Sequence, residues 1–291
     1  IKIADKISGE IINADSMQVY SDLKIITSRP SELDLKKVKH HLYGHVSGIN
    51  RYNVYNWCRD CLNKIDQVSK NNKIPIIIGG TGLYFSSLVN GISDIPTIPE
   101  YIKLESNKQL LNLGSKKFYE ITESLDQKAC SQININDTQR LKRIWEVISY
   151  TGVPLSEWKK KLKNNFIKEY EYKLILILPR KDNLYKRCNE RFLNMIEQGA
   201  VEEVKILRKK NYNSSLPVMK AHGVPEIINY LENNSSLDEA IENAQKATRN
   251  YVKRQFTWWR GSNIKSDHII NDFPVNIDLN KLETLKNTLI D

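Results

Sequence analysis

Short apolar runs and longer amphipathic segments follow one another along the chain. The runs from Glu10 to Ala14 (EIINA) and from Ile74 to Ile78 (IPIII) have the length and composition of strands. The second run is continuously apolar, which is typical of a strand buried in a parallel sheet. A third run, Lys173 to Leu178 (KLILIL), predicts another buried strand. Tyr52 to Ser69 has apolar residues at helical spacing instead, and the alternation of the two patterns predicts an α/β protein.

The chain between Ile95 and Tyr172 has a different pattern. It contains no convincing strand, but several helical stretches and the basic run Lys159 to Lys163. We therefore predict an α/β core made of residues 1–94 and 173–291, interrupted by a helical insertion at 95–172. Helices predicted after the third strand span residues 183–197, 200–210, 225–233 and 237–260.

Composition narrows the class of protein. The 291 residues contain no apolar run of the roughly 18 residues that a membrane span needs, and the first residues lack a secretory signal pattern. Four cysteines are too few for a disulfide framework in a chain of this length. We therefore predict a cytoplasmic protein with no membrane partner. The formal net charge of +10 favours an anionic partner such as nucleic acid, although a lysine-rich composition alone could produce it.

Two segments at predicted strand ends are candidates for chemistry. Asp15 follows the first strand, where open α/β sheets place their ligand sites, and is a candidate general base or metal-organising group. The alternative is that Asp15 caps a helix. The Gly79-Gly80-Thr81-Gly82 turn follows the second strand, and its glycines would let backbone approach a ligand. The alternative is a tight strand-to-helix connection without a ligand.

Two helical segments carry basic residues at helical spacing. Arg140 and Arg143 share a face of a helix that Asp137 would cap, an arrangement that suits phosphates or a base edge. The segment Thr248 to Arg260 extends a basic stripe with aromatic residues interleaved. The stripe is formed by Lys246, Arg249, Lys253 and Arg260, and the aromatic residues are Tyr251, Trp258 and Trp259. Charges with aromatic rings are typical of RNA binding, and the alternative for both helices is a solvated charged face.

A zinc site is the remaining hypothesis from spacing. Cys58-x-x-Cys61 has the spacing of a zinc half-site, and His40, His41 and His45 lie upstream. Both cysteines fall within an amphipathic helical pattern, and the sequence has no second pair of this kind. Structural cysteines are therefore the better interpretation, and we predict no protein metal ligands.

Taken in order, these segments resemble the successive motifs of one family, the tRNA dimethylallyltransferases. The segments are Asp15-Ser16-Met17-Gln18-Val19-Tyr20, Thr27-Ser28-Arg29-Pro30, His40-His41-Leu42, Gly79-Gly80-Thr81-Gly82-Leu83-Tyr84, Asp137-x-x-Arg140-x-x-Arg143 with Glu146-Val147, and Arg254-Gln255-x-Thr257-Trp258. The resemblance covers nearly the whole chain, and the first and fourth blocks together are quite specific.

The resemblance implies a P-loop-type parallel-sheet core with a helical insertion. It implies transfer of a dimethylallyl group from dimethylallyl diphosphate to N6 of the adenosine next to the tRNA anticodon, with release of diphosphate. Mg²⁺ is the implied cofactor, the anticodon loop of tRNA is the implied partner, and a monomer is expected. Because N6 sheds a proton as it attacks, a positioned carboxylate helps, and the resemblance assigns this role to Asp15.

The resemblance also implies a set of residues that contact tRNA. They are Asp15, Ser16, Met17, Gln18, Thr81, Lys103, Gln139, Arg140, Leu141, Lys142, Arg143, Lys220, Gly223, Lys253, Arg254, Gln255, Trp258 and Arg260. Lys103 stands where the family often has Arg, which keeps the charge but loses the bidentate geometry. Pro225 stands where many members have Arg, so that a phosphate contact is either lost or supplied by Lys220.

One departure from the family pattern is large. The family begins with a Gly-x-x-x-x-Gly-Lys-Ser/Thr loop that binds diphosphate, and the 291 residues contain no such loop. We therefore expect a truncated gene product with impaired catalysis. Three alternatives stay open: a tRNA-binding remnant of such an enzyme, a small-molecule P-loop kinase, and a plain α/β scaffold with an unrelated partner. Members of the family are often described as ATP-binding, but the transfer itself does not require ATP.

Overall fold

The computed structural model describes residues 1–160 and 166–273, and Lys161, Leu162 and Lys163 of the predicted basic run lie outside these ranges. The chain divides into two compact units. One contains Ile1–Val89 and the segment from Phe166 onward, and the other is Asn90–Asn165. Both boundaries of the second unit lie a few residues earlier than the predicted insertion at 95–172. Phe166 and Ile167 pack into the first unit's core around Trp57, a contact that their polar surroundings in the sequence do not reveal.

The N-terminal part of the first unit alternates strands and helices. In chain order its elements are α1 (Lys2–Lys6), β1 (Gly9–Asn13), α2 (Glu32–Lys37), β2 (His40–His41), α3 (Val54–Lys70), β3 (Ile74–Ile78) and α4 (Gly82–Asn90). The three strands are parallel in the order β2-β1-β3. The central strand β1 is buried and ends at the fully buried Asn13, so the residues that follow emerge between the ends of two neighbouring strands.

The helical unit contains α5 (Glu100–Leu125), α6 (Gln127–Cys130), α7 (Thr138–Thr151) and α8 (Leu155–Trp158). Helix α5 is kinked at Gly114, whose φ of 72° interrupts the helical backbone. Phe118 of α5 packs with Leu141 and Ile144 of α7 in a small core. Asp137 caps α7 by accepting a hydrogen bond from the Arg140 N–H at 3.2 Å, and Gly152 ends it in the left-handed conformation.

The C-terminal part of the first unit adds β4 (Ile175–Ile177), α9 (Lys181–Glu197), α10 (Ala200–Lys209), α11 (Val224–Leu231), α12 (Leu237–Gly261) and β5 (His268–Ile270). Strands β4 and β5 form a parallel pair. Helices α9 to α12 pack against the loop after β1 in the larger core of this unit, which includes Val19, Leu23, Phe192 and Ile227. A second core lies around Trp57, whose ring stacks on Tyr84 with centroids 4.3 Å apart.

Two strands are less buried than their apolar sequences predicted. In β3, Ile74 and Ile78 are 38% and 46% exposed, and in β4 Ile177 is 44% exposed. Within the part of the chain that the structure describes, β3 pairs with β1 alone and β4 with β5 alone, so each has an edge without a neighbouring strand. The prediction that these strands are buried is therefore wrong. In the same described ranges, no helix has the length and apolar content needed to cross a bilayer.

Candidate active site at the end of the first strand

The backbone around Asp15 is fixed by the side chain of Asn13. Asn13 Oδ1 accepts a hydrogen bond from the Asp15 N–H at 2.9 Å, and Asn13 Nδ2 donates to the Asp15 carbonyl at 3.0 Å. The same Nδ2 donates to the Leu42 carbonyl at 3.1 Å, and Leu42 adopts a left-handed backbone with φ of 61°. Because the amide is fully buried, losing any of these partners would leave a buried polar group unpaired. Asp15 therefore leaves the strand in one defined direction.

The Asp15 carboxylate faces its own turn. Asp15 Oδ1 accepts hydrogen bonds from the N–H groups of Met17, at 2.8 Å, and Gln18, at 3.2 Å. Asp15 thus caps the tight turn at Ser16–Val19 rather than a helix. Both of these hydrogen bonds are accepted by Oδ1. Among the residues that the structure describes, Asp15 Oδ2 therefore keeps lone pairs that can accept a hydrogen bond from another donor. A half-buried carboxylate with one oxygen fixed and one available suits the acceptance of a proton from a substrate.

The Gly79–Gly82 turn places Thr81 next to the Ser16–Val19 turn that Asp15 caps. The Thr81 N–H donates to the Ala14 carbonyl at 3.2 Å, and Thr81 Oγ1 accepts a hydrogen bond from the Ser16 N–H at 3.0 Å. The Ser16 and Thr81 hydroxyl oxygens are 3.4 Å apart. Asp15, Ser16 and Thr81, predicted from separate motifs, therefore meet at the carboxyl ends of β1 and β3.

The glycines of the Gly79–Gly82 turn allow other parts of the protein to pack closely against it. A Cβ on Gly79 would lie 2.2 Å from the Ala14 backbone, one on Gly80 2.3 Å from Gln255 Nε2, and one on Gly82 2.4 Å from the Trp258 ring. Gln255 Nε2 donates to the Gly80 carbonyl at 2.8 Å. The glycine spaces are thus filled by α12 and by the end of β1, and this favours the tight-connection alternative over a phosphate cradle.

Tyr251, His222 and Arg254 complete the surroundings of Asp15. The rings of His222 and Tyr251 are 5.1 Å apart, and the Arg254 guanidinium lies 5.5 Å from the Tyr251 ring centroid. Burial, and after it the negative charge of Asp15, raises the pKa of Tyr251. Burial and the positive charge of Arg254 lower the pKa of His222. Both rings are therefore neutral near pH 7, and the site combines the Asp15 carboxylate and the Arg254 guanidinium with neutral aromatic and hydroxyl groups.

Helix α12 presents two different faces, which corrects the prediction of one interleaved basic and aromatic surface. At about 100° per residue, Lys246, Lys253 and Arg260 fall on one side of the helix, and Tyr251, Gln255 and Trp258 on roughly the opposite side. The aromatic side packs on the Gly79–Gly82 turn. The basic side is exposed except at Arg249, whose guanidinium donates to Asn189 Oδ1 at 2.9 Å.

The remaining predicted tRNA contacts of the first unit occupy one stretch. Lys220 is exposed at the end of a 3₁₀ helix, Pro217–Lys220. Gly223 has φ of 96°, and a Cβ there would lie 2.8 Å from both Ile26 and Phe192, so that only glycine fits. Pro225 lies in the first turn of α11, where its missing N–H costs no hydrogen bond.

In the helical unit, α7 places the predicted contacts on different surfaces. Gln139, Arg140 and Arg143 are exposed, and Lys142 Nζ donates to Asn107 Oδ1 at 2.6 Å. Leu141 is fully buried in the small core, so its side chain is not available to a ligand, contrary to prediction. Lys103 on α5 pairs with Glu100 at 3.2 Å.

The described residues contain no cluster of side chains of the kind that forms a dedicated metal cage. In residues 1–160 and 166–273, no three His, Cys, Asp or Glu side chains converge. Near Asp15 the oxygen donors are one carboxylate and the hydroxyls of Ser16 and Thr81, a set with which Mg²⁺ would keep several waters and rely on substrate phosphates. Cys58 and Cys61 are fully buried in α3, and burial raises the pKa of Cys58 to about 12, as expected of structural thiols.

Comparisons with known proteins agree with one another. The model of a family described as IPP transferase matches residues 18–262. A tRNA dimethylallyltransferase of Ehrlichia canis (strain Jake) is 42% identical over 265 residues, which are 89% of this chain and 86% of the relative. One of Wolbachia pipientis subsp. Culex pipiens (strain wPip) is 43% identical over 254 residues, 86% of this chain and 82% of the relative.

Solved structures are similar over the same span. A tRNA isopentenylpyrophosphate transferase from Staphylococcus epidermidis has a TM-score of 0.66 and 28% identity, covering 99% of this chain and 92% of its own. A eukaryotic dimethylallyltransferase described as acting on tRNA has a TM-score of 0.73 and 27% identity, covering 88% of this chain and 65% of its own.

Proposed function

The chain belongs to the IPP transferase family, and we propose that it transfers a dimethylallyl group from dimethylallyl diphosphate to N6 of the adenosine next to the tRNA anticodon. The observation that carries this proposal is the half-buried Asp15, with one carboxylate oxygen fixed by its own turn and the hydroxyl groups of Ser16 and Thr81 beside that turn. The Ehrlichia and Wolbachia relatives, of which this chain covers more than four fifths, carry the matching activity in their names.

The reaction needs a base because the adenine amino group is a weak nucleophile. Its lone pair is delocalised into the ring, and N6 must lose a proton as the new bond forms. We assign that proton to Asp15 Oδ2. The N6–carbon bond forms at the allylic carbon, the carbon–oxygen bond to diphosphate breaks, and the electron pair leaves with the diphosphate. Proton transfer to a positioned carboxylate contributes on the order of 10²- to 10⁴-fold to such a rate.

We do not propose that the Gly79–Gly82 turn binds Mg²⁺ or the phosphates of dimethylallyl diphosphate. Protein atoms already fill the space beside its glycines. We keep Mg²⁺ as the proposed cofactor, with the role of neutralising the leaving diphosphate. No step of the proposal depends on a metal ligand in the described residues.

Each unit has its own set of residues proposed to contact tRNA, and the two sets have different roles. Arg140 and Arg143 of α7, with Lys103 and Lys142, are proposed to attract the backbone phosphates, and these charge contacts make the affinity for tRNA depend on salt. Gln139 is proposed to donate a hydrogen bond to a phosphate oxygen. Ser16, Met17, Gln18 and Thr81, with Lys220, Gly223 and the predicted residues of α12, are proposed to receive the extruded adenosine. Extrusion costs a few kcal/mol, which contacts of the loop must offset.

A transfer assay with two matched RNAs tests the proposal. The chain is mixed with dimethylallyl diphosphate, Mg²⁺ and an unmodified tRNA transcript, and the digested RNA is examined by mass spectrometry. We expect an adenosine that is heavier by one prenyl group, and none in a transcript with guanosine at the same position. The same assay is run on the chain preceded by the Gly-x-x-x-x-Gly-Lys-Ser/Thr segment of a relative. Salt-dependent tRNA binding without transfer in either form would contradict the enzyme and favour a tRNA-binding remnant.

A further inference from the structure

Helix α10 holds the loop that follows the Asp15 turn. Glu203 Oε1 accepts hydrogen bonds from the N–H groups of Lys24, at 2.6 Å, and Ile25, at 2.9 Å, while Oε2 accepts one from Ile26 at 2.9 Å. An ionised carboxylate has enough lone pairs to accept all three, and bonds to a charged acceptor are stronger than neutral ones. One side chain on α10 thus sets the backbone direction of three successive loop residues.

The end of this loop holds Gln18 in turn. Gln18 Nε2 donates to the carbonyls of Thr27, at 2.8 Å, and Ser28, at 3.1 Å. Ser28 has φ of 52°, a left-handed conformation that is unfavourable for a residue other than glycine and persists only where surrounding contacts impose it. The position of the two carbonyls therefore depends on what anchors the loop, and the Glu203 carboxylate is one of these anchors.

Gln18 also contacts the carboxylate of Asp15, since its N–H donates to Asp15 Oδ1 at 3.2 Å. A continuous series of hydrogen bonds and short backbone links therefore leads from Glu203 through residues 24–28 and Gln18 to Asp15. A second contact ties α10 and its C-terminal extension to the start of the same loop. Asp22, whose side chain is 2% exposed, pairs with Lys210, and Tyr212 donates to it at 3.3 Å.

We propose that Glu203 is a positioning residue for this reaction, which holds Gln18, and through it the Asp15 carboxylate, in the orientation that receives the adenosine. Glu203 touches no reacting atom in this account. The inference rests on the proposed function, because it assigns to the loop a role in presenting tRNA. The alternative is that Glu203 only stabilises the fold.

A matched pair of neighbouring glutamates tests the inference. In Glu203→Gln, the side-chain NH2 group replaces one carboxylate oxygen and cannot accept a hydrogen bond. At least one of the N–H groups of residues 24–26 would then face another donor. The control is Glu202→Gln, because Glu202 is exposed and pairs with Lys205 at 3.3 Å. We expect Glu203→Gln to lower kcat/KM for tRNA on the order of 10- to 100-fold, the scale of a small misplacement of catalytic groups. KM for dimethylallyl diphosphate should be the same in Glu203→Gln as in the wild-type chain. The control variant Glu202→Gln should keep the wild-type kcat/KM for tRNA.

A double-mutant cycle with Gln18→Ala separates positioning from stability. If Glu203 acts through Gln18, the double variant should be no worse than the more damaged single variant, because the two residues form one chain of contacts. The cycle is measured on kcat/KM for tRNA and also on the Kd of an unmodified tRNA transcript, which needs no donor. Amide hydrogen exchange at residues 24–28 should rise in Glu203→Gln and not in Glu202→Gln.

Two outcomes overturn the inference in distinguishable ways. If tRNA binds and the effects of Glu203→Gln and Gln18→Ala multiply, Glu203 does not act through Gln18, and the proposed function still stands. If the wild-type chain neither binds nor modifies tRNA, the proposed function fails, and this inference fails with it.

Discussion

The turn that carries Asp15 and the first turns of α7 both hold predicted tRNA contacts, but they are built differently. Asp15, Ser16 and Gln18 are half-buried, and each has backbone or side-chain hydrogen bonds that fix its direction. Gln139 and Arg143 are exposed, and Arg140 pairs with its helix neighbour Asp137 at 3.0 Å. Fixed groups suit proton transfer, whereas exposed guanidinium groups suit attraction of phosphates. Changes in the first region should alter rates, and changes in the second should alter affinity and its salt dependence.

The largest effect is expected from Asp15→Asn. The amide keeps the shape of the side chain but cannot accept the N6 proton, so the single-turnover transfer rate should fall on the order of 10²- to 10⁴-fold. The Kd for tRNA should change little. Asp5→Asn, in the exposed part of α1, is the matched control. A variant that loses tRNA affinity by the same factor as rate would make Asp15 a binding residue instead.

The next largest effect is expected from Gly82→Ala. The new Cβ would lie 2.4 Å from the Trp258 ring, so α12 must shift away from the turn. We expect the free energy of unfolding to fall by about 1–3 kcal/mol, the usual cost of overpacking, with a loss of transfer rate. Gly261→Ala is the control, since its Cβ would meet nothing within 4 Å. Urea titrations of both variants measure the difference, and equal midpoints would contradict the packing that we describe.

A smaller effect is expected from Arg140→Ala. Removing one phosphate contact should weaken tRNA binding and reduce the slope of log Kd against log salt concentration by about 1, while the transfer rate at saturating tRNA is kept. Arg140→Lys should retain the slope, because the charge remains. Lys116→Ala, an exposed charge on α5, is the control. A changed rate at saturation with an unchanged slope would contradict the division between the two regions.

The smallest effect is a pH dependence of stability at Asp22. Burial opposes ionisation of this carboxyl, but hydrogen bonds from Lys210 and the Gly48 N–H outweigh burial and lower its pKa. A lowered folded-state pKa contributes stability above the unfolded-state pKa, and this stability is lost as pH falls through the folded-state value. The gap in urea midpoint between wild type and Asp22→Asn should therefore shrink below about pH 4, relative to the exposed control Asp94→Asn. A gap that does not vary with pH would exclude this linkage.

Long amphipathic segments made much of the fold predictable. Helices α9 to α12 lie within a few residues of their predicted bounds, because their periodicity extends over several turns. Strand β5 was not predicted, since three residues carry no period and pairing with β4 defines it. The opposite faces of α12 could have been read from the sequence, because residues two apart on a helix point to different sides.

The residues that orient Asp15 were harder to find. The sequence indicates a role for Asn13, because a polar residue at the end of an apolar strand must find hydrogen-bond partners when it is buried. No sequence pattern indicates the role of Glu203, because its partners are backbone N–H groups that lie far away in the chain. Sequence motifs thus indicated the groups that we propose to react, and the structure supplied the residues that hold them.

The most direct test of the central claim is a structure of the chain bound to an unmodified tRNA transcript. We predict that N6 of the adenosine next to the anticodon lies within hydrogen-bond reach of Asp15 Oδ2, at about 2.6–3.2 Å, with the adenine beside Thr81 and Tyr251. An adenosine that stays stacked in the anticodon loop, or one bound away from the end of β1, would contradict the account.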